Sequence, residues 1–155
     1  MKRAHVSCDI DAPLDIVWQI LTDMQRYNLW NPFVTDIECD ASIPTVGVDM
    51  LFSVTFPGSD AVTKTAETVT VFEPPHDVVD GRAAVWAYRY SSFPAKIGMI
   101  RANRVQRLTQ ITPERTGYFS EEVFSGWGTI LVPLGRVQAG FEVQARALKT
   151  YAEGK

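Results

Sequence analysis

The sequence predicts an α+β fold, in which a curved antiparallel sheet of seven strands wraps around a long C-terminal helix. Residues 4–10 alternate apolar and polar side chains, which is the period-two pattern of a strand with one buried face. From about residue 34 to 131, strand-like runs are separated by Gly, Pro and Asp. After Pro133 the apolar residues return to helical spacing. These elements hide their apolar faces if the last helix lies across the concave face of the sheet.

The first strand is followed by two short predicted helices. Pro13 fits the first helical position, where its missing N–H costs nothing. The apolar residues that follow at helical spacing are Leu14, Val17, Trp18 and Leu21. They predict a helix over about residues 13–21. Thr22-Asp23-Met24-Gln25 has the pattern of a capping box that opens a second helix, and Asn31-Pro32 disfavours its continuation.

Six further strands are predicted, and together with the first they make seven. Their ranges are 36–41, 48–56, 61–73, 83–90, 101–112 and 117–131. Turns of hairpin length, such as Phe56–Asp60, favour antiparallel pairing. The final helix carries Val137, Phe141, Gln144 and Leu148 on one stripe. Because side chains rarely fill the open end of a curved sheet around one helix, we expect a cavity there.

Composition sets limits on the class of protein. The 155 residues include 15 Lys and Arg against 18 Asp and Glu, and 46% are hydrophobic, so we expect one globular domain over residues 1–155. No basic cluster predicts nucleic-acid binding, and no apolar run is long enough for an integral membrane segment. The N-terminus has no apolar region typical of a signal peptide, and Cys8 and Cys39 predict reduced thiols in a cytoplasmic protein. We expect a monomer or homodimer.

Known motifs of metal and cofactor chemistry are missing from the sequence. Gly126-Trp127-Gly128 begins like a dinucleotide fingerprint, but Leu131 occupies the position of the third glycine. With His5 and His76 as the only histidines, hydrolytic triads and His-rich metal sites lack their residues. We therefore expect no cofactor and no metal, so that any catalysis would be acid/base chemistry.

Several motifs resemble a known superfamily. The motifs are Asp11–Trp18, Leu21–Asp23, Tyr27–Phe33, Phe72–Pro75, Glu122–Gly126, Gly140-Phe141 and Ala147–Lys149. In this order they are similar to the START-like helix-grip superfamily (SRPBCC), in its polyketide cyclase/dehydrase and lipid-transport branch. The resemblance implies the helix-grip fold and covers nearly the whole chain. It leaves function open, because this fold serves carriers of hydrophobic ligands, hormone receptors, cyclases and chaperone co-factors.

Three functions follow as hypotheses. The first is binding of a small, largely apolar molecule of lipid or polyketide type in the cavity. The second is a cofactor-independent, lyase-type polyketide cyclase or dehydratase. Aromatic polyketide cyclases of the superfamily carry an arginine on the strand before the Pro-containing turn, where residues 61–73 offer only Lys64 as a base. The third is a protein-interaction module of the chaperone co-factor kind, which would use the outer face of the sheet.

A charge pair on the hairpin around Thr112–Gly117 is the candidate catalytic site. If Ile111 faces Tyr118, then Arg107 lies opposite Glu122. In the cavity, Glu122 would act as a general base or bind a ligand hydroxyl, with Arg107 orienting it or stabilising an oxyanion. The alternatives are a structural ion pair, or a register in which both residues face solvent.

The candidate ligand-binding residues are aromatic and apolar side chains of one parity, with a few polar ones. They are Trp86, Tyr88, Tyr90, Phe52, Val54, Asn103, Tyr118, Phe124, Phe141 and Gln144. Such walls could hold a flat apolar ligand and orient it through hydroxyl groups, or they could equally be packed core. Gln144, polar on an apolar stripe, should face the cavity or a partner. Residues 91–100 could form a lid over the entrance or an ordinary surface loop.

Overall fold

A computed structural model describes residues 1–155 and contains one antiparallel sheet of seven strands in the order β1-β7-β6-β5-β4-β3-β2. The strands are β1 Lys2–Ile10, β2 Val34–Glu38, β3 Asp49–Val54, β4 Thr63–Val78, β5 Gly81–Tyr90, β6 Arg101–Thr112 and β7 Arg115–Ser125. All neighbours except β1 and β7 are consecutive in the chain, so hairpins build most of the sheet. The predicted seven-stranded antiparallel sheet is confirmed.

Three α-helices and two 3₁₀ helices complete the chain. The α-helices are α1 Leu14–Thr22, α2 Phe93–Lys96 and α3 Leu134–Glu153, and the 3₁₀ helices are Met24–Leu29 and Thr129–Leu131. The predicted capping box is wrong, since Asp23 caps nothing with its side chain and the Thr22 hydroxyl instead donates to the Trp18 carbonyl at 2.8 Å. The predicted second helix is the 3₁₀ helix Met24–Leu29.

Two predicted strand ends are also wrong. β7 stops at Ser125 rather than at residue 131, because Gly126 takes a φ of 109° and turns the chain out of the sheet. β4 continues to Val78 rather than ending at residue 73. It passes through Pro74 and Pro75 because the pairing with β5 is irregular between Glu73 and His76, so neither proline has to donate a ladder hydrogen bond.

The core lies between α3 and the concave face of the sheet. Phe141, Ala145 and Leu148 of α3 are buried against side chains such as Leu108 and Tyr118. Polar contacts fasten the helix to β1: Gln138 Nε2 donates to the His5 carbonyl at 2.7 Å, and Lys149 Nζ donates to the Asp9 carbonyl at 2.7 Å. The helix therefore bridges the sheet from the β1 edge inward, as the apolar stripe predicts.

Two further observations concern the chain as a whole. Cys8 on β1 and Cys39 after β2 are free, and they lie at opposite edges of the sheet. None of the helices combines the length and the apolar character that crossing a lipid bilayer requires.

Candidate functional site

A cavity of about 210 Å³ lies between α3 and the β2 side of the sheet. Most of its lining is apolar, and it includes the rings of Phe33, Phe52, Phe56, Phe124 and Phe141. Apart from the tyrosine hydroxyl groups, four polar side chains line it: Thr65, Glu67, Arg104 and Glu122. The site is thus an apolar chamber with a polar cluster on one wall, the kind of cavity that holds and orients a small molecule.

The β6–β7 hairpin brings Arg104, not Arg107, opposite Glu122. The turn is tight, pairing Thr112 with Arg115, and the ladder is irregular between Gln110 and Thr112, so that Ile111 is left out of it. The pairing therefore places Arg104 against Glu122, and the predicted pairing of Arg107 is wrong. Arg107 pairs with Phe119 and is exposed on the outer face.

The same error of parity explains a second wrong candidate. Asn103 lies on the outer face of β6 and is exposed, because even-numbered residues of this strand point inward. Glu122, Tyr118 and Phe124 on β7 keep the predicted inward parity. The bulge at Ile111 reversed the prediction for one strand of the hairpin and not for the other.

Arg104 is a buried guanidinium that hydrogen bonds only to neutral groups. Its side chain is 3% exposed. Nε donates to Ser120 Oγ at 3.0 Å, while Nη1 donates to Tyr88 Oη at 3.2 Å and to Gln144 Oε1 at 3.4 Å. The guanidinium carbon lies 4.0 Å from the centre of the Phe141 ring, a cation–π contact. Nη2 is buried and has no partner.

Glu122 faces the cavity without a salt bridge or hydrogen bond to its side chain. It lies opposite Arg104 in the ladder, yet Arg104 belongs to none of the salt bridges, which require a nitrogen–oxygen distance of 4.0 Å or less. Burial raises the pKa of Glu122 to about 7, and the positive charge of Arg104 only partly opposes this rise. Near neutral pH both the protonated and the ionised form of the carboxyl group are therefore populated.

Glu67 on β4 is a third ionisable group, which the sequence did not single out. It is 6% exposed, and its Oε2 has no hydrogen-bond partner. Burial, and next the charge of Glu122, hold the pKa of Glu67 well above its ordinary value, while Arg104 lowers it. Its signal in the sequence was its shared parity with Thr65 and Val69, which face inward on the same strand.

Behind the cavity wall, a hydrogen-bond network joins four neutral side chains. Tyr118 Oη donates to Gln106 Oε1 at 2.6 Å, Gln106 Nε2 donates to Tyr88 Oη at 3.3 Å, and Gln144 Nε2 donates to Gln106 Oε1 at 3.4 Å. All four residues are buried. The network fixes the Tyr88 hydroxyl and the Gln144 amide, the two groups that hold Arg104 Nη1.

Apart from Asn103 on the outer face, the predicted ligand-binding residues fall into two groups. Those that line the cavity are Phe52, Val54, Tyr88, Tyr90, Phe124 and Phe141. Trp86, Tyr118 and Gln144 are buried in the core beside it and do not line it. Gln144 does have the partner expected of a polar residue on an apolar stripe, namely Arg104.

Residues 91–100 lie beside the entrance. They contain the short helix α2, and Phe93 and Ile97 are exposed. Ile100 lines the cavity, and the Met99 carbonyl accepts a hydrogen bond from the Gly128 N–H at 2.7 Å. This segment and the chain after β7 thus meet at the cavity mouth, while the lid function stays a prediction.

Comparison with protein families gives one match, over residues 1–153, to the family described as polyketide cyclase/dehydrase and lipid transport. No curated protein matches the sequence. No group of three or more His, Cys, Asp or Glu side chains is arranged to hold a metal ion.

Solved structures share the fold at low sequence identity. A START superfamily protein from Mycobacterium smegmatis is 14% identical with a TM-score of 0.69, over 97% of its own chain and 98% of this one. The Zhui aromatase/cyclase from Streptomyces sp. R1128 is 17% identical with a TM-score of 0.67, over 93% of its chain and 98% of this one. Norcoclaurine synthase from Thalictrum flavum is 12% identical with a TM-score of 0.65, over 93% of its chain and 97% of this one. At these identities the likeness concerns the fold alone.

Proposed function

The chain belongs to the polyketide cyclase/dehydrase and lipid-transport family of the START-like superfamily, and from this membership we propose that it binds a small, largely apolar molecule in the cavity. The observation that supports the proposal is the cavity itself. An apolar chamber of about 210 Å³ faces α3, with Glu67, Arg104 and Glu122 collected on one wall. Apolar walls supply affinity, and the polar wall fixes the orientation of the ligand.

The size of the cavity limits the size of the ligand. An engineered apolar cavity of about 150 Å³ in another protein binds benzene. The cavity here, about 210 Å³, therefore suits a body of one or two rings or a medium aliphatic chain. Burying such a body stabilises the complex by about 25 cal/mol for each Å² of apolar surface removed from water.

Native mass spectrometry of the purified protein tests the proposal first, by showing whether a small molecule travels with the chain. A binding titration with 2-naphthalenemethanol then measures affinity directly. Ala102→Leu partly fills the cavity and should weaken binding, whereas Asn103→Leu, one residue away on the outer face, should not. If both variants had the same affinity for the probe, the ligand would bind outside the cavity.

A second candidate is the cofactor-independent dehydratase, and one observation favours it. Glu122 lines the cavity and has a pKa of about 7, which suits a general base near neutral pH. In this reaction, Glu122 would remove a proton from the carbon beside a carbonyl, and Arg104 would stabilise the enolate oxygen. The enolate electrons would then form a C=C bond as a hydroxyl group, protonated by Glu67, leaves as water.

A β-hydroxy ketone tests this candidate. Loss of water from 4-hydroxy-4-phenyl-2-butanone gives a conjugated enone that absorbs in the near ultraviolet. Glu122→Gln should abolish its formation with little change in affinity, because a proton transfer is lost while the apolar contacts remain. Turnover unchanged in Glu122→Gln would exclude Glu122 as the base. The protein-interaction hypothesis needs no cavity and gains no support from one.

A further inference from the structure

The polar wall of the cavity carries a positive charge that the protein does not neutralise through an ion pair. Arg104 forms hydrogen bonds to Ser120, Tyr88 and Gln144, all of them uncharged. A buried charge is stable when it has a counter-ion and a full set of hydrogen bonds, and Arg104 lacks both. Its free donor is Nη2, and the residue lines the cavity.

A second residue of the cavity lining, Glu67, has an unsatisfied oxygen. Glu67 Oε2 is buried without a hydrogen-bond partner, and Glu67 lines the cavity together with Arg104. A protonated carboxyl group can donate one hydrogen bond as well as accept others. Two residues of the same lining, one charged and one neutral, thus each have a buried polar atom without a partner.

Resting on the proposed function, we propose that the ligand is a carboxylate with an apolar body. One of its oxygens accepts a hydrogen bond from Arg104 Nη2, the other accepts one from the carboxylic acid of Glu67, and Glu122 takes up a proton when the ligand binds. The ligand thus supplies the counter-ion that Arg104 lacks.

The charges around Glu122 require this carboxyl group to be neutral when a carboxylate ligand is bound. The ionisable groups facing it are Arg104 on β6, Glu67 on β4, and the phenols of Tyr88 and Tyr90 on β5. The helix α3 contributes only apolar groups to the cavity, and on β1 the residue opposite Glu122 is Ala4. With one positive charge in the cavity, a ligand carboxylate and an ionised Glu122 would leave one negative charge unbalanced.

The ionisation of the free protein agrees with this arrangement. Glu67, whose pKa is held well above its ordinary value by burial, is the neutral donor that the arrangement needs. Glu122, with a pKa of about 7, is partly ionised at neutral pH and can accept the proton at little cost. A neutral ligand would need no such proton, so its binding should depend weakly on pH.

Calorimetric titration with 2-naphthoic acid and with 2-naphthalenemethanol tests the proposal, because the two probes share an apolar body and differ in charge. The acid should bind at least tenfold more tightly than the alcohol at pH 6. Since the competent form is the one protonated at Glu122, its Kd should rise about tenfold between pH 6 and pH 8. Titrations in buffers of different ionisation enthalpy should show proton uptake for the acid and none for the alcohol.

Two variants assign the proton. Glu122→Gln should bind the acid at pH 8 as tightly as the unmodified protein does at pH 6, without proton uptake. Glu121→Gln is the matched control, because Glu121 lies on the outer face of the same strand in an ion pair with Arg3 at 2.7 Å, and it should keep the pH dependence. Arg104→Gln should remove the preference for the acid. If Arg104→Gln fails to fold, the measured proton uptake and the affinity of Glu122→Gln for the acid still test the proposal.

The outcomes separate this inference from the proposed function. Equal affinity for acid and alcohol, without proton uptake, would overturn the carboxylate proposal and leave the apolar cavity as the binding site. A preference for the acid that persists at every pH would overturn the role of Glu122. If neither probe binds and native mass spectrometry shows no ligand, the proposed function fails together with the inference.

Discussion

The ring of Phe33 occupies the space that any side chain at position 140 would need. A Cβ atom on Gly140 would overlap Phe33 Cε1. The same ring packs against Phe141 on α3 and Phe56 at the far wall, with centroid separations of 6.1 and 5.7 Å. Because Phe33 and Phe141 both line the cavity, the glycine sets how closely the helix approaches that wall.

We expect Gly140→Ala to destabilise the fold by about 1–3 kcal/mol, since the added methyl group must displace a packed aromatic ring. Gly135→Ala in the same helix is the control, because a Cβ there meets nothing within 4 Å. The control should be neutral or slightly stabilising, as alanine favours helix over glycine by up to about 1 kcal/mol. Urea unfolding measures both, and a Gly140→Ala protein as stable as the control would contradict the contact.

Protein stability should fall as pH rises from about 5 to 8. The folded-state pKa of Glu122, about 7, lies above its ordinary value of 4.5. The protonated group therefore contributes its full stabilisation below pH 4.5, and this stabilisation is lost as the pH rises through 7. Glu122→Gln should remove part of this dependence and be more stable than the unmodified protein at pH 8, by on the order of 1–3 kcal/mol. The dependence of stability on pH that remains in Glu122→Gln comes from Glu67, whose pKa is also raised.

Glu121→Gln provides the comparison for that measurement, because it removes an outer-face carboxylate from the next position of β7. It should leave the slope of unfolding free energy against pH unchanged. If Glu122→Gln and Glu121→Gln give the same slope, Glu122 does not ionise in a buried site.

Tyr118→Phe should lower stability by about 1–2 kcal/mol and leave ligand affinity unchanged. The hydroxyl donates to Gln106 Oε1 at 2.6 Å, and without it that oxygen keeps only the bond from Gln144 at 3.4 Å. Tyr90→Phe is the converse case, because the Tyr90 hydroxyl makes no hydrogen bond within the chain while its ring lines the cavity. It should leave the melting temperature nearly unchanged. A Tyr118→Phe protein that loses ligand affinity while its melting temperature stays the same would show Tyr118 to be a ligand contact.

Gly126→Ala should disturb the cavity mouth. At φ 109° the residue is in a region that other residues rarely adopt, and a Cβ there would lie 2.5 Å from the Met99 carbonyl oxygen. Gly58→Ala isolates the conformational part of the cost, because Gly58 has a φ of 80° and open space around it. We expect Gly126→Ala to cost at least 1 kcal/mol more than Gly58→Ala in thermal unfolding. Equal costs would show that the backbone shifts freely at position 126.

The sequence predicts the fold well because hydrophobic periodicity is a local signal. The alternation in β1 and the helical stripe of α3 both follow from which face is buried, and the structure has both elements where they are predicted. The hairpin of β6 and β7 shows where the signal fails. The bulge at Ile111 on β6 and the positive φ at Gly126 after β7 are decided by the backbone, and periodicity does not reveal them.

The candidate site could be predicted only in part. The parity of β7 identifies Glu122, but the bulge in the hairpin reverses the inward face of β6, so that the expected neighbour is Arg107 and Arg104 is placed on the outer face. Glu67 is not singled out, because a charged residue in a strand ordinarily indicates the solvent face. The hydrogen bonds of buried Arg104 come from Tyr88, Ser120 and Gln144, which lie on three other elements and meet Arg104 only in the folded chain.

The position of β1 at the edge of the sheet sets the order in which the protein can assemble as it is synthesised. Its only strand partner is β7, so Lys2 cannot pair before Phe124 has been synthesised. The intervening hairpins can form as they leave the ribosome, because each joins consecutive strands. The first strand and the last helix, which bind each other through Gln138 and Lys149, can pack together only after α3 has been synthesised. Truncated nascent chains that end before α3 should therefore be degraded readily by protease.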